Sequence, residues 1–142
     1  MWLEERNNKA KDFFPVLEDY PLRNPRILLV DDDSDHLVLF SMFLEKEGYE
    51  VVCAESAEEA LALLRDHTVD IVVSDVLMPE MNGIEFLRLL RNSAKYSEIP
   101  VIFLTASEWQ TESLVYQEEG PDMFCLKSLA RSLLPSQIRF LL

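Results

Sequence analysis

The sequence predicts an α/β domain in which five short parallel strands form one sheet with helices on both faces. Three observations carry this. Short apolar runs alternate with stretches of helical length and helical apolar spacing from Arg26 onward, the pattern of βα units joined by right-handed crossovers. Several runs are apolar throughout, as strands buried on both faces require. Four of the five runs lead into a polar residue, namely Asp31, Asp75, Thr105 and Lys127, and in a parallel sheet those ends share one edge.

The 142 residues make room for one domain with a modest appendage, and the 49% hydrophobic content is enough for a real core. Thirteen basic residues against 26 acidic give a net charge of −13, which repels a phosphate backbone and argues against direct nucleic-acid binding. No apolar run is long enough to span a bilayer, and the N-terminus lacks the apolar stretch of a signal peptide, so a soluble, cytoplasmic protein with no membrane partner is expected. Cys53 and Cys125 fall on separate predicted strands and read as free thiols.

Residues 1–24 read as an N-terminal extension or linker, with the domain itself over 25–142. Leu3, Ala10 and Leu17 are spaced as heptads, with Phe13 and Tyr20 on the same side, which suits a helix that Pro15 would kink or divide. A docking or dimerising arm and a remnant folded onto the domain fit this segment equally.

The first strand, Ile27 to Val30, runs directly into the acidic stretch Asp31 to Asp35. Leu37, Phe40, Phe43 and Leu44 then recur at helical spacing until Gly48 ends the helix. Val51 to Ala54 is the second strand. Ser56 with Glu59 forms a capping box for a helix buried through Ala60, Leu61 and Leu64. Ile71 to Ser74 delivers Asp75, and a Met-Pro-Glu-Met-Asn-Gly turn leads into a third helix with Ile84, Phe86, Leu87, Leu89 and Leu90. Ile99 to Leu104 ends at Thr105, a fourth helix is expected over 108–119, and Asp122 to Leu126 delivers Lys127. Pro135 interrupts the expected fifth helix: either Leu129 to Leu134 forms a separate turn with Pro135 opening the final helix, or the helix is kinked there.

The strand ends specify chemistry. Carboxylates gathered within about 5 Å repel by roughly 3 kcal/mol per pair at an effective dielectric near 20, so the cluster calls for a cation. A hard divalent ion with oxygen ligands, Mg²⁺ above all, meets that need and leaves room for a phosphate oxygen. Lys127 would neutralise a further oxygen, and the Thr105 hydroxyl would donate to an arriving anion. Asp75 would then attack phosphorus and become an aspartyl phosphate. Singly these residues have plainer readings, as helix caps, a strand-end Thr and a solvated Lys; the coincidence of all of them is what points to phosphoryl transfer.

Leu29-Val-Asp-Asp-Asp33, Ser74-Asp-Val-Leu-Met-Pro-Glu-Met-Asn-Gly83, Leu104-Thr-Ala106 and Lys127 together resemble the receiver domain of bacterial two-component response regulators, over roughly residues 25–130. The resemblance implies a flavodoxin-like sheet of order 2-1-3-4-5, with Cys53 and Cys125 on opposite edges. It implies Mg²⁺ held by Asp32, Asp75 and the backbone carbonyl of Leu77, with Asp31 acting through water. Asp75 would receive a phosphoryl group from a histidine kinase or phosphotransfer protein, in a phosphorelay and not as an enzyme. Thr105, Ala106 and Lys127 would bind that group, Phe124 would swing inward behind the moving Thr105 loop, and Leu77 and Ser107 would tune dephosphorylation by controlling access for water. The signal would leave through the fourth helix, last strand and fifth helix, the surface where a homodimer would also form unless the N-terminal extension provides it. An output domain beyond these 142 residues is expected.

The chain departs from the family where Lys127 is followed by Ser128 and not Pro, where Phe124 replaces a more usual Tyr, and at Pro121. Two other readings are a pseudo-receiver that serves only as an interaction surface, and a haloacid-dehalogenase-like phosphatase with Asp31 as nucleophile and Asp33 as its acid. His36 and His67 read as helix-surface residues, neither a metal pair nor a phosphodonor.

Overall fold

The structure, a computed structural model, describes residues 23–107 and 120–142; the expected arm and the helix over 108–119 lie outside them. The strands are β1 (Arg26–Val30), β2 (Glu50–Ala54), β3 (Ile71–Asp75), β4 (Val101–Thr105) and β5 (Met123–Leu126). All pair in parallel, in the order β2-β1-β3-β4-β5. Every residue of β3 and β4 is buried, as central strands covered on both sides must be. Edge strand β2 is largely half-exposed. Cys53 on β2 is exposed and Cys125 on β5 is buried, both as free thiols.

Helices α1 (Ser34–Lys46), α2 (Ala57–Asp66), α3 (Gly83–Arg91) and α4 (Ala130–Leu141) complete the described elements. Alternate strand residues feed two cores. Leu28, Val72 and Phe103 pack with α2 and α3, while Ile27, Val73 and Leu104 pack with Leu37, Phe40 and Leu44 of α1 and Leu134 and Ile138 of α4.

The helix starts follow their caps. Asp33 Oδ1 accepts from the amides of Asp35 and His36 at 2.9 and 3.4 Å, opening α1. Ser56 Oγ accepts from Glu59 N at 3.0 Å, while Glu59 reaches back one residue further than a strict capping box, to Glu55 N at 3.1 Å. Asn82 Oδ1 takes Glu85 N at 2.9 Å to open α3. Gly48, at φ 96°, turns the chain out of α1.

Pro135 neither opens a helix nor divides one: Lys127–Leu129 is a 3₁₀ turn, and α4 continues through a buried Pro135. The proline deprives only the carbonyl of Arg131, an exposed residue, of a helical partner. The opposite end of the sheet is tied by ion pairs, with Arg23 on Asp70 at 2.8 Å and Arg91 on Asp122 at 2.9 Å.

Candidate functional site

The carboxyl ends of the strands bring Asp31, Asp32, Asp75 and Lys127 together. Asp31 follows β1, its amide donating to Ala54 O at 3.1 Å, and its side chain is fully buried. Its Oδ1 accepts from Asp33 N at 2.9 Å. Asp75 is the last residue of β3; its Oδ1 accepts from Val76 N at 2.8 Å. Lys127 opens the 3₁₀ turn after β5 and spans the gap, with Nζ 3.1 Å from Asp75 Oδ2 and 3.3 Å from Asp31 Oδ2. It does so with no cis peptide bond among the described residues, so Ser128 in place of Pro does not keep the ammonium out of the site.

Asp31, Asp32 and Asp75 each offer a carboxylate oxygen within 4.8 Å of the others. One ammonium among three carboxylates leaves excess negative charge at a mostly buried edge. Burial pushes the Asp75 carboxyl above its usual range; Lys127 opposes the shift and Asp31 reinforces it. Burial works against the Lys127 charge, but Asp75 and Asp31 together outweigh it and hold the ammonium above its ordinary pKa. An all-oxygen donor set with unbalanced charge suits a hard divalent cation.

Gly83 keeps the loop after Asp75 folded close. Its amide donates to Val76 O at 2.8 Å, and a Cβ built there would meet Asp75 O at 2.6 Å. In that loop Leu77 is 62% exposed, and Glu80 adopts φ 65°, unusual for a side-chain-bearing residue.

Thr105, buried at the end of β4, sits beside Asp75's strand, with Ala106 and Ser107 exposed just beyond it. Phe124 is half-buried, its ring edge-on to Phe103 with centroids 6.2 Å apart, and its carbonyl accepts from Gln137 Nε2 at 2.9 Å.

His36 requires a correction. It is on the helix, but it faces the site: Nδ1 lies 3.2 Å from Asp31 Oδ2, and Lys127 Nζ is 3.5 Å from the same nitrogen. The available signal was its place in the first turn after Asp33, because helical side chains lean toward the N-terminus and so cover the preceding loop. His67 lies apart, its Nδ1 3.1 Å from Leu63 O at the end of α2. A phosphatase with Asp31 as nucleophile and Asp33 as its acid finds no support: Asp33 Oδ1 is taken up in capping α1.

A parallel sheet with acidic residues, a threonine and a lysine converging at its carboxyl edge defines a signal-receiving domain of the two-component type. Residues 27–139 match the response regulator receiver domain, and the chain belongs to that family. The chain is 39% identical over 117 residues to the transcriptional regulatory protein CpxR of Klebsiella pneumoniae, a match covering 82% of this chain and 49% of CpxR. Protein PilH of Pseudomonas aeruginosa is 36% identical over 95 residues, 67% of this chain and 78% of PilH. Among solved structures, the response regulator TrrA of Thermotoga maritima, in complex with Mg(2+)-BeF, superposes with a TM-score of 0.74 at 32% identity over 83% of this chain and 99% of that one. The chain spans about half the length of CpxR.

Proposed function

We propose that Asp75 accepts a phosphoryl group from the phosphohistidine of a histidine kinase or phosphotransfer protein, with Mg²⁺ held by Asp32, Asp75 and the Leu77 carbonyl, and by Asp31 through water. The observation that carries this reading is the shared position of Lys127 between Asp75 and Asp31, 3.1 and 3.3 Å away, beside a carboxylate triad with unbalanced charge. An Asp75 oxygen forms the new bond to phosphorus as the P–N bond to the donor imidazole breaks. The imidazole keeps the electron pair and takes up a proton. Bound Mg²⁺ supplies charge compensation for the phosphoryl oxygens. The Lys127 ammonium passes from the carboxylates to one of those oxygens, and the Thr105 hydroxyl, with the neighbouring Ala106 segment, receives another.

Movement of the loop after β4 then frees room for Phe124, now half-buried against Phe103, to turn inward. Leu77 and Ser107, exposed on either side, control water at the acyl phosphate. Output passes to a further domain or a partner, and a homodimer would use the β5 and α4 surface with the segment over 108–119. A cytoplasmic location belongs to the same reading. None of the described helices is long and apolar enough to cross a membrane. The closeness of Asp31, Asp32, Asp75 and Lys127 favours this reading over an interaction module without phosphorylation.

The test is to incubate the chain with Mg²⁺ and a small phosphodonor and weigh the intact protein. A gain of one phosphoryl group in wild type and in Asp33→Asn, and none in Asp75→Asn, is expected. Wild type that gains no mass would overturn the reading.

A further inference from the structure

His36 stands at this edge and takes no part in phosphoryl acceptance itself. Its Nδ1 is 3.2 Å from Asp31 Oδ2 and 3.5 Å from Lys127 Nζ, and its Nε2 is 3.7 Å from Asp33 Oδ2. The ring is in tilted contact with Phe40, with centroids 5.8 Å apart and 35° between the planes. An ammonium only donates and an ionised carboxylate only accepts. Nδ1 therefore cannot serve both neighbours in one tautomer. Asp31 is fully buried and its contact is the shorter one, which assigns the proton to Nδ1. The imidazole and Lys127, at 3.3 Å, are then two donors sharing Asp31 Oδ2.

We propose that His36 is a positioning residue for phosphoryl acceptance: by donating from Nδ1 to Asp31 Oδ2, it frees Lys127 to move from that oxygen to a phosphoryl oxygen on Asp75. This deepens the reading of Asp75 as acceptor and rests on it. A buried acceptor is costly to leave unpaired. If Lys127 were the sole side-chain donor to Oδ2, its departure would leave that oxygen to a metal-bound water alone, and the ammonium would hold to Asp31 more tightly. With His36 in place, one donor remains on Oδ2 after Lys127 moves, so the lysine has two accessible positions.

The experiment uses the whole chain, titrated with Mg²⁺ and then, at saturating Mg²⁺, with beryllium fluoride as the phosphoryl mimic, both by calorimetry. In His36→Ala, beryllium fluoride should bind roughly tenfold more weakly, the value of one hydrogen bond to a charged group. Mg²⁺ should bind as tightly as in wild type or a few-fold tighter, because Asp31 has lost a competing donor. His36→Asn, whose amide N–H can take the place of Nδ1–H, should bind beryllium fluoride within about threefold of wild type. A merely structural role would weaken both ligands together and would not be rescued by Asn. Wild-type affinity for beryllium fluoride in His36→Ala, or equal weakening in the Asn variant, overturns the proposal. Should the Ala variant not fold, His36→Leu, which fills similar space without a donor, takes its place with the same expected loss and the same refuting result. Failure of the acceptor reading looks different: wild type itself would not bind beryllium fluoride, or Asp75→Asn would bind it equally well.

Discussion

Replacing Lys127 by Met removes the one ammonium that, among the described residues, pairs with Asp75 and Asp31. At 3.1 and 3.3 Å and an effective dielectric near 20, each attraction is worth about 5 kcal/mol. Opposing the sum of about 10 kcal/mol is the desolvation of a Lys127 side chain that is 19% exposed, which amounts to several kcal/mol. The net loss on substitution is about 3 kcal/mol, in the range of other buried pairs broken on one side. Because neighbouring carboxylates hold the Lys127 pKa above its ordinary value, its contribution is fully present below the unfolded lysine pKa of about 10.4 and is lost as pH rises through the folded value. At pH 7 the full loss should therefore appear in urea unfolding with a chelator present. Millimolar Mg²⁺, standing in for the missing ammonium, should shrink the difference to under about 1 kcal/mol. A loss that is the same with and without Mg²⁺, or no loss in chelator, would refute the electrostatic account.

Asp75→Asn should stabilise the metal-free domain at pH 7 by roughly 1–2 kcal/mol, since it removes repulsion from two carboxylates within 4.8 Å at the expense of one attraction at 3.1 Å. The folded pKa of Asp75 is raised, so its protonated form adds stability below about pH 3.9 that is lost as pH rises through the folded value; the variant's advantage should vanish in acid. Urea curves across pH check this, and the same variant should lose most of the stabilisation that Mg²⁺ confers on wild type. Gly83→Ala puts a Cβ 2.6 Å from the Asp75 carbonyl oxygen and should cost about 2–3 kcal/mol, with weaker Mg²⁺ binding as the loop carrying Leu77 shifts; denaturation and calorimetry measure the two effects. Glu80→Gly relieves a φ of 65°, and after the added entropy of an unfolded glycine should raise stability by about 0.5 kcal/mol in the same unfolding assay.

The sheet was legible because its buried strands are continuous apolar runs, β3 and β4 above all. Asp31, Asp75, Thr105 and Lys127 could be gathered into one site before any coordinates, since each stands at or just after a strand end and parallel strands align those ends. The sheet order 2-1-3-4-5 came from the family resemblance, because alternating βα units fix neighbours less firmly than layers. His36 was missed for a geometric reason. Sequence adjacency set it on a helix surface, whereas the backward lean of a first-turn side chain turns it over the acidic loop. Pro135 was read as an interruption because local rules count the hydrogen bond it removes. The packing of Leu134 and Ile138 against the sheet outweighs one unpaired carbonyl. Glu80's left-handed backbone has no signature in a stretch where Asn and Gly nearby supply the ordinary turn residues.

The most direct test of the central claim is to locate the phosphoryl group. After phosphorylation with Mg²⁺ and a small phosphodonor, borohydride reduction converts an aspartyl phosphate to homoserine, and peptide mass mapping reads the position. Homoserine is expected at residue 75 and at no other carboxylate; modification at Asp31 or Asp32, or an unchanged Asp75 in protein that has gained a phosphoryl group, would contradict Asp75 as the acceptor.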